Sequence, residues 1–210
     1  MTALGSQLPS WYAAAHTRNL AAAAAHRLYR LRAHGAFHIG THGPLVLVVP
    51  SPALLAPLVV QAIAPRPVHV LVDGSAPAAL PAALRRAVGA IDFDAPTAIT
   101  AQRRALAALA DGRAVAVCGA TWPAAYLVAA SGASVVAVTL LGIDGRVGID
   151  PPRPGSAIAA YVTAPVRVEV GEDPVRRSTR TVVGERIRQV VADGADEASR
   201  RAGLPTKEWR

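Results

Sequence analysis

Lysine is almost missing from this chain: Lys207 is the only one among 210 residues, so the formal net charge of +8 is carried by arginine. Cysteine is reduced to Cys118, which excludes an intrachain disulfide framework and removes any argument for secretion. Aromatic residues make up only 4% and charged residues 17%, so the core has to be built from Ala, Val, Leu and Ile, as helices packed on a sheet allow. No apolar run reaches the roughly 18 residues that a membrane-spanning helix requires, and the first residues lack the charged-then-apolar order of a secretion signal. The expected address is cytoplasmic, with any membrane contact made peripherally at the inner face.

Other signatures are missing too. There is no Gly-x-Gly-x-x-Gly and no Gly-Lys-Ser/Thr phosphate loop, which weakens a nucleotide-binding reading. No zinc-ligand spacing and no aromatic-plus-basic RNA motif accompany the arginines, so nucleic acid is not an expected partner, and neither a metal nor a cofactor is expected.

What is present is an alternation of apolar segments. Strand-like runs fall at 45-LVLVV-49, 68-VHVLV-72, 114-AVAVC-118, 134-SVVAVTLL-141 and 166-VRVEV-170, with a weaker one at 90-AIDF-93. Helical spacing separates them in 54–59, in 76-APAALPAALRRAVG-89 and in 97-TAITAQRRALAALADG-112, where Thr97 can cap the start and Asp111-Gly112 marks the stop. A last amphipathic helix carries Val182, Val183, Ile187, Val190 and Val191. This order predicts an α/β fold with a largely parallel central sheet covered by helices on both faces. Residues 143–161, with Pro151, Pro152 and Pro154, read as an irregular loop.

The alanine-rich stretch 8–35 places Trp11, Tyr12, Leu20, Leu28 and Leu31 beside Arg27, Arg30 and Arg32, and reads as an amphipathic helix ending near Gly35. Such a helix either covers the sheet or lies in a membrane interface with its arginines at the phosphate level. The expected organisation is therefore an N-terminal helical segment over 1–35, one α/β domain over 36–203 and a tail over 204–210.

Four phrases in this order line up with one family. The phrase 28-LYRLRAHGAFHIGTHGPLVLVV-49 resembles the basic helix, Gly-Pro connection and first core strand of the glycerophosphate and lysophospholipid acyltransferases, and 65-PRPVHVLVDGS-75 resembles their second strand. The phrase 89-GAIDFDAPTAITAQRRALAALADGRAVAV-117 resembles the segment with their acceptor-phosphate motif, and 124-AAYLVAASGASVVAVTLLG-142 the helix and strand that follow. The resemblance covers residues 25–192 and implies the acyltransferase-like fold.

In that family a His and an Asp at the turn after the first core strand form the catalytic pair. The His removes the acceptor hydroxyl's proton, without which an alcohol is a poor nucleophile, and the Asp orients the imidazole. That block falls on 50-PSPALLA-56, which puts Pro50 at the Asn position, Ser51 at the His position and Ala56 at the Asp position. The acceptor-phosphate motif, whose arginine pairs phosphate in the family, falls on Asp92, Asp94 and Ala95. The Glu-Gly-Thr block falls on Gly119, Ala120, Thr121 and Trp122, with only the threonine kept, and the proline of the fourth motif becomes Ala137. The place of the site is retained while its polar chemistry is gone.

None of His16, His26, His34, His38, His42 and His69 has an Asp five positions later, so the pair has not slid along the chain. His38 and His42 precede the first core strand and fall near the cleft on a loose reading; His69, four residues before Asp73, reads as a strand histidine. Ser51 lacks the surroundings of a nucleophile elbow, Cys118 reads as buried and inert, and Arg176, Arg177 and Arg180 read as a solvated face.

The leading expectation is thus a degenerate, catalytically inactive acyltransferase-like protein. It would bind a lipid or acyl ligand, touch a membrane peripherally, or partner a protein such as an active acyltransferase. The alternatives are an active divergent acyltransferase moving an acyl chain from a thioester to a lysophospholipid or other polar acceptor, and a nucleotide-binding α/β protein.

Overall fold

A computed structural model of the chain describes residues 11–73, 90–93, 98–119, 121–143, 151–170 and 176–203. Its centre is a seven-stranded sheet in the order β1-β7-β6-β2-β5-β3-β4. The strands are β1 (Arg30–His34), β2 (Leu45–Val49), β3 (Val68–Asp73), β4 (Ala90–Phe93), β5 (Ala114–Cys118), β6 (Ser134–Leu141) and β7 (Ala157–Val162). The five strands from β6 to β4 are mutually parallel, β7 runs antiparallel to β6, and β1 lies parallel to β7. The helices are α1 (Trp11–Leu28), α2 (Ala56–Ile63), α3 (Ala98–Ala110), α4 (Trp122–Ser131) and α5 (Arg177–Ala202).

Why the central strands are apolar at every position follows from the two-sided cover. Side chains alternate along β2, so Val46 and Val48 join Val115, Val117, Val135 and Ala137 on one face, under α3, α4 and α5. Leu45, Leu47 and Val49 point the other way with Ala114, Ala116, Val136 and Val138, and Val59, Val60 and Ile63 of α2 close over them. Helix α1 then lies on α2, where Ala25 meets Leu58. The α/β class with a largely parallel sheet and helices on both faces is therefore the architecture found.

Three local expectations are corrected. The N-terminal helix stops at Leu28, not near Gly35, because Tyr29 N–H makes the last helical bond, to Ala25 C=O at 2.9 Å, and Arg30 N–H turns to Ser156 C=O at 2.9 Å. Arg30, Arg32 and His34 then alternate with Leu31, which packs on the core, so the segment is an edge strand and not a continuation of the basic helix. Its partner β7 occupies part of the stretch read as loop; Ile158, Ala160 and Val162 are buried while Ala157 and Tyr161 face outward. Conversely, 166–170 is not a strand. Only Val166 finds a bridge, to Val135, because Pro165 interrupts the run ahead of it.

The β1–β7 junction is closed tightly by Gly35, at φ +74°, where a side chain would run into the Val162 carbonyl oxygen. His38 Nδ1 sits 3.1 Å from that same oxygen. The expected helix over 76–89, the Thr97 cap and the 204–210 tail lie outside the described residues.

Candidate functional site

Parallel strands deliver their carboxyl ends, and the turns that follow, to one edge of the sheet. Val49 ends β2 directly opposite Cys118, which ends β5. The Val49 carbonyl accepts Ser51 N–H at 2.7 Å and Gly119 N–H at 3.0 Å, so one oxygen ties the two turns together. The turn with Pro50 and Ser51 and the turn with Gly119 and Thr121 thus stand side by side. Gly119, at φ +87°, supplies the left-handed backbone that lets its N–H reach across.

Among the described residues of these two turns, the side chains have little chemistry. Ser51 is half-buried and its hydroxyl accepts Ala53 N–H at 3.3 Å, a local turn contact. Between Val49 and Pro65 the sequence contains no titratable side chain at all. Ala56, at the position the resemblance assigns to an Asp, is 0% exposed and belongs to the apolar cluster with Ala53, Val59 and Val60. Cys118 is buried, and that burial pushes its thiol up to about 12, so it offers no thiolate near neutral pH. Thr121 opens α4 without a side-chain capping bond, and Trp122 beside it is exposed.

Asp92 lies on β4 with its Cα opposite Val72, while Asp94, Ala95 and Ala120 fall outside the described residues. Among the described residues no group of three or more metal-ligating side chains occurs.

The histidines do not gather at this edge. His42 precedes β2 and is therefore separated from Ser51 by the length of that strand, roughly 17 Å at about 3.3 Å per residue; its Nδ1 is 2.7 Å from Thr41 Oγ1. The reading that placed His42 near the cleft is corrected accordingly. His69, second residue of β3, pairs with Val115 and also belongs to the amino end, with its Nε2 3.3 Å from an Arg113 guanidinium nitrogen. Sequence reasoning passed over Arg66, buried at that same end; the available signal was an arginine held between Pro65 and Pro67 immediately before a strand.

This sheet order and edge define an α/β protein with an acyltransferase-type fold. The chain is similar to the crystal structure of the 1-acyl-sn-glycerophosphate (LPA) acyltransferase PlsC from Thermotoga maritima, at a TM-score of 0.58 and 14% identity over 87% of this chain and 79% of that one. At that identity the likeness is one of architecture. No protein-family model and no curated protein matches the sequence.

Proposed function

We propose that this chain is a catalytically silent protein of the acyltransferase fold, which holds a lipid or acyl ligand or pairs with an active relative instead of transferring acyl groups. What supports this reading is the turn after β2, on which the family resemblance puts the catalytic pair: its only polar side chain before α2 is the Ser51 hydroxyl, which accepts a local bond from Ala53 N–H. A positioned general base contributes about 10²–10⁴ in rate, and its loss alone takes most of the chemistry away. Purified protein given an acyl thioester and lysophosphatidic acid is expected to show no transfer above buffer. Turnover that Ser51→Ala abolishes would put a divergent, active acyltransferase in place of this reading.

The same reading includes peripheral membrane contact through α1. Leu20 is 71% exposed and Leu28 45% exposed, and Arg27 is exposed beside them, the arrangement of an interfacial helix. Among the described residues no helix is long and apolar enough to cross a membrane. Co-sedimentation with anionic vesicles is expected, and Leu20→Glu with Leu28→Glu should reduce it at least fivefold, since two buried apolar contacts are exchanged for charges of the vesicle's own sign. Undiminished sedimentation of that variant removes α1 from the account.

A further inference from the structure

The opposite, amino end of the sheet gathers charged side chains, which the turn after β2 does not contain. Three loops converge there: Gly40–Pro44 ahead of β2, Ala64–Pro67 ahead of β3 and Asp111–Arg113 ahead of β5. Gly43 and Gly112 bring two of them close, since a methyl group built on Gly112 would lie 4.0 Å from Gly43 Cα. Between the loops is an open depression of about 520 Å³ lined by Thr41, His42, Gly43, Arg66, Asp111, Gly112 and Arg113.

Arg66 is the unusual member. It is only 4% exposed, although arginine is rarely buried unless paired. Its Nη1 donates to Gly112 C=O at 3.1 Å, while its buried Nε and Nη2 have no hydrogen-bond partner. The carboxylate in the depression, Asp111, is 3.4 Å from Arg113 and not paired with Arg66. Burial lowers the Arg66 guanidinium from its ordinary value, and no carboxylate among the described residues offsets it. A desolvated cation held in place without a counter-charge is a cost to folding unless something else brings the charge.

We propose that this depression is a binding site for the phosphate group of a phosphomonoester, seated over Arg66 and bordered by Arg113, Thr41 and His42. A phosphate suits it better than a carboxylate. Its tetrahedral oxygens can face donors on three different loops at once, whereas a planar carboxylate is satisfied by a single guanidinium fork. Asp111 opposes the anion from the rim and limits affinity. The site stands at the far end of the strands from Ser51, so it neither requires nor excludes acyl transfer.

The test compares the thermal midpoint in inorganic phosphate, in glycerol 3-phosphate and in chloride of matched ionic strength. Phosphate and the monoester should raise the midpoint saturably and chloride should not. Arg66→Met should leave the ligand-free midpoint unchanged or higher, because it removes the unpaired buried cation, and weaken phosphate binding at least tenfold. Exposed Arg103→Met, on α3, should change neither. Asp111→Asn should tighten phosphate binding. If Arg66→Met fails to fold, Arg66→Lys substitutes, with at least threefold weaker binding expected from loss of the fork geometry.

Vesicles containing phosphatidic acid distinguish the sources. Arg66-dependent sedimentation with them in competition with free phosphate assigns a lipid headgroup, and phosphate binding without such sedimentation assigns a soluble phosphomonoester. Equal midpoint rises in chloride, or wild-type phosphate affinity in both Arg66 variants, overturn the proposal.

Discussion

Ala56→Asp lowers the unfolding free energy by about 2–5 kcal/mol, and Ser51→His with Ala56→Asp does not create an acyltransferase. The cost is that of placing an unpartnered polar group in an apolar cluster, because Ala56 is fully buried among Ala53, Val59 and Val60. No titratable group lies between Val49 and Pro65 to receive it. Its carboxyl would fold largely protonated, and so would not charge-balance an imidazolium at position 51. The acceptor's phosphate contacts implied by the family resemblance would still be missing at Ala95, Gly119 and Trp122. Denaturant titration should show a lower midpoint with an unchanged slope. A double variant as stable as the parent and able to turn over lysophosphatidic acid would mean that the site is intact apart from two side chains, and the silent-fold reading would fall.

Acidification from pH 6.5 to pH 4 removes about 3 kcal/mol of stability through His69 alone. Burial is the main cause: the ring is 1% exposed, and its buried Nδ1 has no hydrogen-bond partner. Arg113 adds to the effect, Asp111 opposes it, and the imidazole is pushed down to about 4. In the unfolded chain the same imidazole titrates near 6.5. Between these values the unfolded state binds more protons than the native one, so stability falls as pH falls through the window and this contribution levels off below pH 4. His69→Gln keeps an acceptor for Arg113 but cannot titrate. The difference in unfolding free energy between pH 7 and pH 4 should therefore be smaller in the variant by about that amount. Equal pH dependence in the two proteins would show that the imidazole is protonated in place.

How much of this is legible in the sequence depends on what each segment buries. β2, β5 and β6 stand out because both faces are covered, which makes almost every position Val, Ala or Leu. The turn after β2 stands out because its Pro-Ser-Pro sequence interrupts that pattern at the place the family resemblance marks. β1 was not legible. Its arginines follow an alanine-rich helix without a break in composition, and only pairing with a distant strand settles their conformation. β7 was hidden by small residues behind a proline cluster. The burial of Arg66 was invisible for a similar reason, since arginine defaults to the surface and three loops far apart in sequence enclose this one. Local pattern carries the central strands; the edge strands and the amino-end depression depend on contacts that no window of sequence contains.

The pairing of β1 with β7 also sets a timetable for the newborn chain. Arg30 Nε reaches Gly155 C=O at 3.0 Å across 125 residues of sequence, and Tyr29 donates its hydroxyl to Pro152 C=O across 123. On a ribosome adding about 5–20 residues per second, β1 waits on the order of ten seconds for the strand that receives it. During that interval its backbone donors and acceptors are open to any passing chain. Two guanidinium groups in five residues make such a segment a poor template for adventitious pairing, so the arginines that disguise β1 in the sequence also guard it until its partner has been made.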